Sequence, residues 1–136
     1  MRIAVISVSA RRGGIPGYVK SLAKGMESNG HRVDIIDAWT EDGFRLPGYE
    51  YIAVCAEAAS AWGGKMPDAL SKILGSGSGL IGKKSAAFLK KTGPFFINKA
   101  LRNLMRAMEK EGMMINWSDI LLNAPHAEAL GKRIGA

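Results

Sequence analysis

RIAVISVSARRGGIPGYVKSLAKGM, residues 2–26, changes character twice within its length. Residues 2–9 are β-branched and almost wholly apolar, the pattern of a strand buried on both faces of a sheet. Residues 10–16 then hold two arginines, two glycines and a proline. From Gly17 onward Val19, Leu22, Ala23 and Met26 recur at spacings of three and four, while Lys20, Lys24 and Glu27 fall elsewhere. That is an amphipathic helix, stopped by Ser28, Asn29 and Gly30. A doubly buried strand feeding a helix implies a parallel sheet covered by helices.

The rest of the chain repeats the alternation. Residues 31–38 (HRVDIIDA) and 51–58 (YIAVCAEA) read as the second and third strands, the latter again apolar on both faces. Residues 66–74 (MPDALSKIL) form a helix with proline near its first turn and Leu70, Ile73 and Leu74 on one side. Residues 84–90 (KSAAFLK) make the fourth strand. The helix at 98–112 carries a stripe of Leu101, Leu104, Met105 and Met108 that reads as core, with Gly112 as its stop. Residues 113–122 supply a fifth strand and 126–134 a short terminal helix. Such an order predicts one doubly wound α/β domain over residues 1–136, whose ligand crevice lies at the carboxyl ends of the strands. The loops that matter follow the first, third and fourth strands.

Composition sets the outer limits. At 136 residues and 47% hydrophobic, the chain suits a single core. Its longest apolar runs are far short of the roughly 20 residues of a membrane span, and no export segment opens it, so a soluble, cytoplasmic protein is expected. Cys55 is alone in an apolar run and reads as a buried thiol in a reducing compartment. The formal charge of +7 favours anionic partners, but the cations are scattered and no nucleic-acid motif accompanies them. Neither nucleic acid nor membrane is expected as a partner. His31 and His126 read as surface or structural residues, and no residue cluster has metal-ligand spacing.

Two of the three loops carry specific chemistry. In the first, bare glycine backbone, the start of a helix, and Arg11 and Arg12 together suit a phosphate. The loop is neither a P-loop nor a G-x-G-x-x-G fingerprint, and glycines at such a junction also serve simply as a turn. In the second, Trp62 is followed by Gly63, Gly64 and a Met-Pro helix start, which offers a flat aromatic face beside open backbone. The tryptophan either meets a planar ring or packs over the sheet edge.

On these residues the chain resembles the flavodoxin-like flavoproteins. The likeness is most specific over residues 51–74, with the aromatic-Gly-Gly-Met-Pro loop, and extends to the strand and helix flanking residues 9–16. It implies a five-stranded parallel sheet in the order 2-1-3-4-5, a three-layer sandwich, and flavin mononucleotide (FMN) as cofactor. Position by position, it makes Ser9 and the backbone of Arg11, Arg12, Gly13 and Gly14 candidates for the phosphate. Trp62, Gly63 and Gly64 become candidates for the isoalloxazine ring, and Lys91, Thr92 and Gly93 for its polar edge. The first loop has lost most of the hydroxyls usual in the family and runs about one residue longer. The chain is basic where electron-carrier flavodoxins are acidic.

Two classes of function follow from the resemblance. One is an FMN redox protein: an electron carrier serving a redox partner protein, or a small NAD(P)H-dependent reductase passing electrons to a small-molecule acceptor, the latter often completed by a homodimer. No side-chain acid or base is obligatory in that class. The other is a binding module that has lost FMN and takes another anion or a protein partner. Phe95, Phe96 and Ile97, beside the third loop, either cover a flavin, form an interface or pack the following helix.

Overall fold

The computed structural model describes residues 1–60, 63–77 and 79–134. Its elements alternate as expected: β1 (Arg2–Val8), α1 (Gly17–Glu27), β2 (Arg32–Asp37), β3 (Tyr51–Ala56), α2 (Asp68–Ser76), β4 (Lys84–Lys90), α3 (Ile97–Lys110), β5 (Met114–Leu121) and α4 (Ala124–Gly131). A single turn of 3-10 helix at Leu46–Gly48 precedes β3. The strands form one sheet in the order β2-β1-β3-β4-β5, and every pairing is parallel.

Burial explains that order. Residues 3–8 of β1, all of β3 and residues 85–89 of β4 are buried, which fits continuous apolar runs at the sheet centre. The edge strand β5 alternates between exposed and half-buried positions along most of its length. Alternate residues feed two cores. Ala4, Ile6 and Val8 of β1 join Ile52 and Val54 of β3 against Leu70, Ile73 and Leu74 of α2 and Leu104 and Met108 of α3. Ile3 and Val5 join Ala53, Cys55 and Phe88 against Val19, Leu22 and Met26 of α1 and Leu130 of α4. On that second face α1 and α4 cross in backbone contact: a Cβ at Gly25 would lie 2.1 Å from the Glu128 carbonyl, and one at Gly131 2.2 Å from that of Leu22.

Most element boundaries shift by one to three residues from the sequence reading, and three of the shifts have a local cause. The third strand ends at Ala56 and not at 58, because the chain turns away once the Glu57 amide has bonded the Val8 carbonyl at 2.9 Å. Pro67 caps α2 from outside, in extended conformation, so the helix runs two residues later than 66–74. The terminal helix begins at Ala124, since the Asn123 side chain accepts the His126 amide at 2.9 Å and Pro125 fits the first turn.

Candidate functional site

The winding reverses between β1 and β3, so the crevice at their carboxyl ends is the place where loops from distant parts of the chain meet. An open cleft of about 480 Å³ lies there, lined by residues 10–13 of the first loop, 57–60 of the second and Thr92 of the third. A second cavity shares Ala58, Ser60 and Thr92 with it as lining and reaches Gly64, Gly93, Phe95, Phe96 and Ala100. It holds only about 10 Å³, room for a single water.

At the open end Arg11 and Arg12 are exposed, and neither forms an ion pair among the described residues. Behind them α1 starts without a side-chain cap and without an acidic residue in its first turn, so its positive end is left uncompensated. The base of the loop is fixed by two long-range bonds. Trp39 donates its indole N–H to the Ser9 carbonyl at 2.8 Å, and Ala10 donates its amide to Glu57 Oε1 at 2.8 Å. The other oxygen of Glu57 accepts the Tyr18 hydroxyl at 3.2 Å. Burial first, then the charge of Glu57, pushes the Tyr18 phenol far above its ordinary range, so it remains a donor. Burial likewise pushes the Cys55 thiol up and keeps it inert.

The closed end is held by packing. Gly64 has φ +70°, and a Cβ there would lie 2.9 Å from the Ala100 nitrogen. Asn103 of α3 donates to the Gly64 carbonyl at 2.9 Å, and the Ala59 amide bonds the Lys65 carbonyl at 2.7 Å. The second loop is therefore bolted to α3. Phe96, which caps α3, has φ 62° and is the only non-glycine residue with positive φ among those described. Phe95 beside it is 64% exposed. Lys90 lies over the Tyr18 ring at 5.6 Å and donates to the Lys91 and Leu122 carbonyls.

Of the residues expected from the sequence, Arg11, Arg12, Gly13 and Thr92 come together on the open cleft, and Gly64, Thr92 and Gly93 on the closed slot. Ser9 is buried beneath the loop and lines neither cavity; Gly14, Gly63 and Lys91 line neither as well. The Lys91 amide is committed to the Leu121 carbonyl. Trp62 lies outside the described residues. Glu57, Lys90 and Tyr18 are the site residues that sequence reading missed. The available signal was a carboxylate directly after a wholly apolar central strand.

His31 bridges the amino terminus and the Ile134 carbonyl, and His126 accepts the Leu122 amide. Among the described residues no three His, Cys, Asp or Glu side chains gather to hold a metal ion, and no helix is long and apolar enough to cross a membrane.

No protein-family model and no curated protein sequence matches the chain. Solved structures do. Oxidised flavodoxin 1 from Bacillus cereus is similar over 99% of this chain and 95% of its own, with a TM-score of 0.71 and 17% identity. A flavodoxin from the Archaea matches over 98% and 96%, with a TM-score of 0.71 and 20% identity. Oxidised flavodoxin 2 from Bacillus cereus reaches a TM-score of 0.74 at 16% identity over 98% and 94%. Parallel order 2-1-3-4-5, helices on both faces and near-complete mutual coverage make this a flavodoxin-like fold.

Proposed function

We propose that the protein binds FMN and works as a redox protein. The observation that supports this best is the convergence of the loops after β1, β3 and β4 on two neighbouring cavities that share Ala58, Ser60 and Thr92, one rimmed by Arg11 and Arg12 and the other lined by Gly64 and Gly93. Arg11, Arg12 and the Gly13 backbone would hold the phosphate; Gly64, Thr92 and Gly93 would line the ring end. Bound flavin supplies the electron or hydride acceptance, and the chain's own groups orient it and tune it. At the phosphate end the rim formed by Arg11 and Arg12 fits the group as it stands, while the Ala10 amide behind it is taken by Glu57. The ring end does not fit until residues 92–97 move outward, and the positive φ of Phe96 is a conformation that segment gains by leaving.

In this reading an electron carrier serves a redox partner protein in the cytoplasm, and a reductase uses NAD(P)H and a small-molecule acceptor. The exposed Phe95 side chain marks where either would approach. A homodimer belongs to the reductase form, and sedimentation equilibrium distinguishes it. Titration with FMN is the deciding experiment: stoichiometric uptake with quenched flavin fluorescence is expected, and protein indifferent to excess flavin would sink the proposal.

A second reading has its own support. The closed slot and the carboxylate on the Ala10 amide also suit a module that has lost FMN and takes another anion or a protein partner. In that case inorganic pyrophosphate, but neither riboflavin nor FMN, protects the protein against heat.

A further inference from the structure

We infer that Glu57 is a specificity-determining residue of the crevice. Its carboxylate occupies the amide end of the first loop, so a phosphate-bearing ligand is gripped at the rim by Arg11 and Arg12 and is turned away from the Ala10 amide.

The geometry carries this from both sides of the carboxylate. The Glu57 backbone is fixed, because its amide closes the β1–β3 ladder on the Val8 carbonyl at 2.9 Å. The side chain then reaches across to donors from two other elements, Ala10 at 2.8 Å and the buried Tyr18 hydroxyl at 3.2 Å. Both oxygens are thereby held, and one of them sits on a backbone N–H that a loop of this shape would otherwise offer to an incoming anion. Among the described residues no ion pair is made to the carboxylate. Arg11 and Arg12 form no ion pair with it, and the Lys90 ammonium is engaged with two carbonyls.

A phosphate dianion reaching for the Ala10 amide must break a charge-assisted bond and then stand beside a like charge. An uncharged ligand, or one whose phosphate stays at the rim, meets neither obstacle. The crevice is thus selective for how far a phosphate penetrates. The inference deepens the flavin-nucleotide reading and rests on it for the ligand, but the carboxylate's effect on phosphate is measurable without flavin.

The test is an amide NMR titration of wild type, Glu57→Gln and Tyr18→Phe with inorganic phosphate at constant ionic strength, followed by FMN and riboflavin. Glutamine keeps the shape and an acceptor for Ala10 but removes the charge. The expected result is a half-saturating phosphate concentration about tenfold lower in E57Q, with the Ala10 amide resonance moving there and not in wild type. Y18F, which removes the second anchor of the carboxylate and so loosens its hold on Ala10, moves the same way by a smaller factor and serves if E57Q does not fold. FMN-over-riboflavin preference should also rise in E57Q. Equal phosphate affinity in wild type and variants, with Ala10 moving in all, overturns the inference and leaves the flavin reading intact. No phosphate response in any of them overturns it as well. Phosphate behaviour as expected with no flavin uptake by any variant sustains the role of Glu57 and sinks the flavin reading alone.

Discussion

At the β1 end of the crevice two unpaired guanidiniums and open backbone border about 480 Å³ of space, while at the β4 end Phe95, Phe96, Gly64 and Ala100 enclose about 10 Å³. The two ends differ in what holds them. Hydrogen bonds from Trp39 and Tyr18 and a carboxylate fix the floor of the open end and leave its rim free. Backbone-to-backbone contact fixes the closed end on the second-loop side, through Gly64 against Ala100. An anion can therefore reach the rim without rearrangement, whereas a flat ring does not fit the slot as it stands; in the proposed reading its apparent affinity is lowered by the fraction of molecules in which the slot is open.

The bolt between the second loop and α3 gives the largest expected effect. Gly64→Val places a Cβ against the Ala100 backbone in a positive-φ conformation, and should cost about 3 kcal/mol of stability, read as a lower urea midpoint at unchanged slope. A loss under about 0.5 kcal/mol would mean that the closed end is not packed this tightly. Next comes Trp62→Ala, expected to weaken riboflavin and FMN alike by about 1–3 kcal/mol, the scale of base stacking on aromatic side chains. A loss confined to FMN would move Trp62 to the phosphate end.

Two buried phenols lie at opposite ends of the strands, and alkaline unfolding compares them. Burial pushes the Tyr51 phenol, at the amino end of β3, up to about 12 from 10.0. The unfolded chain releases that proton first, so the native state binds more protons above pH 10 and stability falls as pH rises from 10 toward 12. Tyr51 contributes up to about 2 kcal/mol to that fall, and Tyr51→Phe should flatten it. Tyr18→Phe should flatten it as well, because its phenol is raised by burial and by Glu57 together. A slope unchanged in both variants would contradict the burial of both phenols. Asn103→Ala, which strips the Gly64 carbonyl of its partner, should cost about 1 kcal/mol by the same urea assay.

What was legible in the sequence follows from how local each cause is. The central strands announce themselves because burial on both faces demands uninterrupted apolar runs, and residues 84–90 coincide with β4 as observed. The start of α4 was equally local, since Asn123 and Pro125 are a cap and a first-turn residue, yet the apolar pattern of 126–134 drew the boundary too late. In the site, Arg11, Arg12 and the glycines were legible because charge and missing side chains are properties of a single position. Glu57 was not. It meets Ala10 across 47 residues and Tyr18 across 39, and no spacing along the chain encodes a contact that only the β1–β3 pairing creates. The closed slot is illegible for the same reason, being a result of how α3 docks on the second loop.

The smallest expected effect tests the open end alone. Arg12 is exposed and unpaired, so its attraction for a phosphate is screened by water and salt and is worth under about 1 kcal/mol. Arg12→Ala should leave riboflavin affinity unchanged and lower FMN affinity by roughly threefold, a difference that shrinks as salt is raised. In an E57Q background the same substitution should matter less, because the phosphate, no longer repelled by a carboxylate, then competes for the Ala10 amide as well. Calorimetric titration of both flavins into the single and double variants reads this coupling directly. Equal losses for riboflavin and FMN would show that Arg12 supports the loop and not the phosphate, and strict additivity with E57Q would show that rim and amide are separate sites.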